Sequence, residues 1–361
     1  MTATLRSCVS ALQEKSRLHL FAASVLVSAT VCLFCGCGKN GIDGKPEFKL
    51  TYSVFFPPTH VQAKLAQTWS DEIERRTNGR VKIMVFAGGA LTKADQCYQG
   101  VCDGITDLGM SAFAYTRGRF PLLEGLDLPV GYPDGLTATR IVNEMAMKYN
   151  PKEIQATKLL YVHAHGPGIL ATKTPVRGVK DLSGMKIRGT GFTAKIVEAL
   201  GGSPVGMSQG ETYEALQKGV VQGTFCPIET LKGWKQGEVI GYVAESQCVG
   251  YTTAFYVTMN QETWNLLPPD IQTVFLDVSR EWLDKHGEAW NEADAQGYAF
   301  IRELKREIVP LSKDEQREWV RRITPLLDAY SAKADAKGLP GARFMKELRE
   351  KIAASAKENK K

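Results

Sequence analysis

The chain has 361 residues, long enough for two domains, and its 43% hydrophobic and 23% charged residues are the proportions of an ordinary globular protein. The formal net charge of +6 is spread along the chain, with no basic block interleaved with aromatics, which argues against nucleic-acid binding. The Lys/Arg-rich tail from Lys346 also carries Glu347, Glu350 and Glu358, the composition of a solvated terminal helix.

In chain order, Arg6, Lys15 and Arg17 precede an apolar run from Leu18 to Phe34, followed by Cys35, Gly36 and Cys37. A positive segment, an apolar core and a small residue before a cleavage point form an export signal. Residues 1–36 resemble a bacterial lipoprotein signal peptide with Cys37 as the residue to be lipidated, although Phe34 stands where such signals usually have leucine. A plain secretory signal and a retained anchor stay open, because the run is almost long enough to span a bilayer. All three place the folded part outside the cytoplasm. Residues 37–47 are rich in Gly and charge and suit a flexible tether.

Phe48 to Phe55 reads as a strand, and Thr59 to Thr77 as an amphipathic helix with Val61, Leu65, Trp69 and Ile73 on one face. Asn78-Gly79 stops that helix. A strand at Val81–Phe86, a helix at Lys93–Val101 and a strand at Asp107–Ser111 complete a βαβαβ start, which implies a parallel sheet covered by helices. Leu159 to His165 opens another strand region. From Asp181 to Pro227 the pattern repeats: a strand from Met185 to Arg188, a glycine turn, a helix from about Phe192, a second helix from Glu211 to Lys218, and a strand from Val220 to Phe225. The fold class is therefore α/β with two lobes, each presenting strand ends and helix N-termini to a common cleft. From Asp270 the pattern is helical for a long distance, with later breaks at Pro310 and Gly338-Leu339-Pro340.

Arg188 ends a strand beside a helix N-terminus, a good place to hold an anion. Its guanidinium fork matches a carboxylate, and backbone N–H groups near Gly191 add to it. The turn Gly189-Thr190-Gly191-Phe192-Thr193-Ala194 also matches the G-x-G-x-x-A dinucleotide fingerprint. Against that reading, half the chain precedes the turn, Arg188 would crowd the pyrophosphate, and an exported protein leaves the nicotinamide pool. His163 and His165 share one face of a strand, but no third ligand has metal spacing, so they read as polar packing. Cys97 and Cys102, five apart on one helix, have poor disulfide geometry, and whether Cys226 pairs with Cys248 stays open.

The runs DLSGMKIR, ALGGSPV and ETYEALQKGVVQG, the closing CP, and the segments LTYSVFFPPTH, RFPLLEGLDLPV and GYTTAFYVTMNQETWNLLP together resemble one family. It is the solute-binding proteins of tripartite ATP-independent periplasmic (TRAP) transporters, the DctP family. The resemblance implies a two-lobed periplasmic-binding-protein fold with a long helix, Pro269 to Arg306, bridging both lobes. It groups residues 48–166 and 255–293 as the first lobe, and 167–254 and 294–361 as the second lobe with the C-terminal helices. The crossings fall near Gly166–Gly168 and Tyr251–Phe255. It also implies an extracytoplasmic, monomeric receptor that passes a small organic acid to membrane subunits, with no cofactor, no metal and no catalysis.

The resemblance places Arg188 on the arginine that pairs with the substrate carboxylate, and Cys226 where many relatives carry an asparagine that contacts it. Some relatives have a second arginine where this chain has Gly168. One arginine with an apolar wall at Phe225 and Cys226 suits a monocarboxylate with an apolar or aromatic body better than a dicarboxylate. Phe55, Phe56, Phe113, Tyr115, Trp234 and Tyr251 are candidate flanking aromatics, and His60, Gln96 and Gln209 candidate polar contacts. A dicarboxylate receptor and a sensor subunit of a signalling system are the alternative readings.

Overall fold

The computed structural model describes residues 45–358; Cys37, the leader and most of the tether lie outside the described residues. In the first lobe, β1 (Phe48–Val54), α1 (Val61–Arg76), β2 (Val81–Phe86), α2 (Cys97–Cys102) and β3 (Leu108–Ala112) follow the βαβαβ order, and β1 pairs parallel with both β2 and β3. His60 caps α1, its Nδ1 accepting the Gln62 N–H at 3.2 Å, and Asn78 and Gly79 end it at positive φ. The helix expected from Lys93 begins at Cys97, because residues 93–96 form a turn closed by the Gln96 N–H on the Lys93 carbonyl, 3.0 Å. α3 (Gly135–Tyr149) and β4 (Thr157–Ala164) complete the outbound half of the lobe.

The chain then crosses to a second sheet. It contains β5 (Ile169–Thr172), β6 (Lys186–Arg188), α4 (Phe192–Ala199), β7 (Ser203–Val205), α5 (Gln209–Gln217), β8 (Gly223–Cys226), α6 (Thr230–Gly233) and β9 (Tyr242–Ala244). α5 starts two residues before the expected Glu211, because Ser208 and Glu211 form a capping box in which the Glu211 carboxylate accepts the Ser208 N–H at 2.9 Å. The strand expected at Val220–Phe225 lies at Gly223–Cys226. Gly219 at φ +75 still belongs to the turn leaving α5, and the Gln222 N–H is already held by the Lys186 carbonyl at 2.8 Å.

A second crossing returns the chain to β10 (Ala254–Asn260), which inserts antiparallel between β3 and β4 to give the order β2-β1-β3-β10-β4. All seven β10 residues are buried, as befits a strand covered on both faces. α7 (Gln261–Leu266) leads into α8 (Pro269–Glu303), a helix of 35 residues. α8 buries Phe275, Val278 and Trp282 in the core of the first lobe and Ile301 in that of the second, so it bridges both. Gly297 permits the contact with the second lobe: a Cβ there would lie 2.5 Å from the Ile228 carbonyl oxygen.

After α8, β11 (Glu307–Val309) pairs with β9 at the edge of the second sheet, whose order is β11-β9-β5-β8-β6-β7. α9 (Lys313–Ile323) buries Trp319 and Ile323 against Leu170 and Ile196 of the second lobe. α10 (Pro325–Asp335) and α11 (Gly341–Glu358), which the sequence grouping places with the second lobe, also reach the first, while Tyr330 keeps an edge contact with Phe192 of α4, centroids 5.7 Å apart. Tyr330, Phe344 and Leu348 join Leu123, Ile141 and Met145 of the first lobe in one cluster, and the Tyr330 hydroxyl donates to the Leu122 carbonyl at 2.6 Å. The apolar face of α3 is the surface they cover.

Candidate functional site

Arg188 is the last residue of β6 and is 4% exposed. Its Nε–H donates to the Met207 carbonyl at 3.0 Å and Nη1 to the Phe225 carbonyl at 3.3 Å. Parallel pairing of β6 with β8 sets the Phe225 carbonyl beside the guanidinium, and with β7 brings the chain toward Met207. No carboxylate makes a direct ion pair with Arg188 among the described residues, so the buried cation is fixed in position by main-chain dipoles alone. Such a charge is costly until an anion joins it.

Arg188 lines a narrow cavity of about 20 Å³ between the lobes. Of the residues singled out in the sequence, Phe56, Tyr115, Gln209, Phe225, Cys226, Trp234 and Tyr251 line the same cavity. The two lobes touch there, the Gln209 N–H donating to the Tyr115 hydroxyl at 3.3 Å. Phe55 and Phe255 stack with centroids 5.9 Å apart, Phe55 and Trp234 at 6.0 Å, and Phe255 and Trp290 at 5.4 Å. The walls are thus aromatic around one guanidinium. Burial pushes the Cys226 thiol up to about 12, so it remains a neutral thiol, and both Cys226 and Cys248 are free.

Other expected contacts lie elsewhere. Phe113 is fully buried in the first-lobe core against Phe120 and Tyr256, because the chain turns inward directly after β3. Gln96 is exposed at the start of α2. His60 stacks behind Phe56 at 4.5 Å instead of lining the cavity. Gly168 backs the Tyr251 ring, and Gly191, at φ +52, packs near Ala114 of the first lobe. The turn around Gly191 offers fewer free donors than a bare helix start: the N–H groups of Gly189, Thr190 and Thr193 already meet the Val205 carbonyl, Thr193 Oγ1 and the Thr190 carbonyl. Thr190 and Thr193 themselves line the cavity.

Sequence reasoning missed Glu229. This buried carboxylate lines the cavity and lies 2.9 Å from His60 Nε2. Since His60 Nδ1 accepts the Gln62 N–H, it is Nε2 that carries a hydrogen and donates it to Glu229. The pair is 169 residues apart in sequence, so no local pattern marks it. Asp294 on α8 accepts the Glu229 N–H at 3.3 Å, and burial, reinforced by the Glu229 charge, raises its carboxyl to about 8. Phe255, Trp290 and His165 also complete the wall; an aromatic at the start of a strand next to a crossing was the available signal for Phe255. His163 is packing: Trp290 Nε1–H donates to its Nδ1 at 3.0 Å and His286 stacks on it at 4.4 Å.

Two α/β lobes joined by crossing segments, with a buried unpaired cation between them, define a two-lobed solute-binding protein. The chain belongs to the bacterial extracellular solute-binding proteins of family 7 (DctP), whose pattern it matches over residues 52–333. It is similar to a TRAP solute-binding protein from Rhodoferax ferrireducens T118 in complex with copurified benzoate: 27% identity, TM-score 0.81, covering 86% of this chain and 99% of that one. A TRAP periplasmic solute-binding protein from Bordetella bronchiseptica with bound (R)- and (S)-mandelate is 29% identical, with TM-score 0.79 and coverage of 85% and 99%. The C4-dicarboxylate-binding periplasmic protein DctP of Rhodobacter capsulatus is 26% identical over 306 residues, 81% of this chain and 90% of that protein. The chain is thus a solute-binding protein of the TRAP type.

Proposed function

We propose that this receptor captures an organic acid with one carboxylate and an aromatic body, and delivers it to the membrane subunits of a TRAP transporter. The carboxylate meets Arg188, and the body lies among Phe56, Tyr115, Phe225, Cys226, Trp234 and Tyr251, with Gln209 as a polar contact. The single observation that carries the reading is the buried, carboxylate-free guanidinium of Arg188 in an aromatic cavity. Two relatives of similar fold hold benzoate and mandelate, acids of this kind. A dicarboxylate fits less well, because the same cavity offers one arginine and already contains the carboxylate of Glu229. Calorimetry with benzoate, mandelate and succinate tests this. One of the aromatic acids binds the wild type more tightly than succinate, and Arg188→Ala loses it; a succinate preference or an unaffected Arg188→Ala overturns the assignment.

The receptor works as a monomer held at the membrane by lipidated Cys37. Cys37→Ala then moves it from the membrane to the soluble fraction on fractionation, and a variant that stays with the membrane refutes the lipid anchor.

A further inference from the structure

Tyr251 sits on the crossing between β9 and β10 and is 1% exposed, yet its hydroxyl has no hydrogen-bond partner among the described residues. A buried hydroxyl without a partner is a debt that folding leaves unsettled. Its surroundings show why the group is held there. The ring lies directly over Gly168 on the other crossing: a Cβ at 168 would be 2.2 Å from the ring carbons and 2.4 Å from the hydroxyl oxygen. No side chain fits at 168 while Tyr251 keeps this place. The Gly168 N–H donates to the Tyr251 carbonyl at 3.1 Å, which locks the two crossings together. The ring also packs edge-on against Phe225, centroids 6.0 Å apart, and the Phe225 carbonyl is one of the two that hold Arg188. Tyr251 and Arg188 therefore share one wall of the cavity.

Resting on the reading of the cleft as a carboxylate site, we infer that the Tyr251 hydroxyl is the second donor to the ligand's carboxylate, beside Arg188, and that this uncharged donor limits the cleft to singly charged acids. Burial drives the phenol well above its ordinary value of 10, so the group keeps its proton and donates. One guanidinium and one neutral hydroxyl satisfy one carboxylate. A second carboxylate would find no second cation there, since Tyr251 fills the space above Gly168, and it would share the cavity with Glu229.

Tyr251→Phe separates this from a packing role, because it removes the hydroxyl and leaves the ring over Gly168. The melting temperature of the ligand-free protein stays at or above that of the wild type, since no protein partner is lost. Affinity for whichever of benzoate and mandelate binds the wild type more tightly falls tenfold or more in calorimetry, the usual scale for a hydrogen bond to a charged group. If Arg188→Ala loses that acid while Tyr251→Phe binds it as tightly as the wild type does, the inference is overturned and the carboxylate site stands. If Arg188→Ala also binds unchanged, the reading beneath it fails as well. A fall in melting temperature without ligand, with affinity unchanged, assigns Tyr251 to packing alone and overturns the inference.

Discussion

Arg188 illustrates how a single side chain is prepared for its partner. Two carbonyl acceptors fix the guanidinium plane before any ligand arrives, so little rotamer freedom remains to be lost on binding. On the proposed reading, truncation at Arg188 leaves a buried ligand carboxylate without its partner, and the affinity loss expected is about 2–5 kcal/mol, large enough to abolish binding at micromolar ligand. Lysine is no substitute, because one ammonium cannot reproduce the planar fork that meets both carbonyls and would still face a ligand's carboxylate. Arg188 was legible from its sequence because a strand-ending arginine before a glycine turn is a local pattern. Glu229 was not, because its partner His60 comes from the other lobe.

At the scale of elements, α8 carries the load between lobes. Its first-lobe half is anchored by Phe275 and Trp282, and its second-lobe contact depends on Gly297. Gly297→Ala would set a methyl 2.5 Å from the Ile228 oxygen and within reach of the Glu229 backbone, forcing helix and loop apart. The expected cost is roughly 1–3 kcal/mol in urea unfolding, with weaker ligand affinity because Glu229 and the cavity wall shift with the loop. Unchanged stability and affinity would show that the loop yields freely. The α8 pattern was plain in the sequence, whereas the side of the molecule on which α10 and α11 settle was not. Their apolar faces could cover either lobe, and the apolar face of α3 decided it.

For the molecule as a whole, buried ionisable groups set a pH dependence. Asp294 is raised to about 8 and Asp127, which accepts the Ala254 N–H at 2.8 Å, is raised well above its ordinary value, in both cases chiefly by burial. Between pH 6.5 and 8 the Asp294 carboxyl holds its proton in the folded state and not in the unfolded one, losing it as pH passes through about 8. The Asp294 contribution to stability therefore falls as pH rises through this window, by at most about 1.4 kcal/mol per unit. The buried histidines act on the other side. His165 is lowered to about 4 and His286 to about 3 by burial, so their stabilising neutral forms are present above pH 6.5 and are lost as pH falls toward those values. Thermal unfolding across pH 6.5–8 should show the decline, and Asp294→Asn should flatten it; an equal slope in the variant would remove Asp294 as its source.

The amino-acid sequence by itself determined the two α/β lobes, the long helix and the family, and it singled out Arg188 as the candidate anion-holding residue. These rest on short-range periodicity, turn chemistry and motif spacing, all of which are local. Only the tertiary structure decided that Phe113 and Gln96 stand away from the cavity, that Glu229 and His60 meet, and that Tyr251 fills the space above Gly168. Each of those outcomes depends on which distant segments come face to face when the chain crosses twice between its sheets, and a sequence pattern carries no record of that distance.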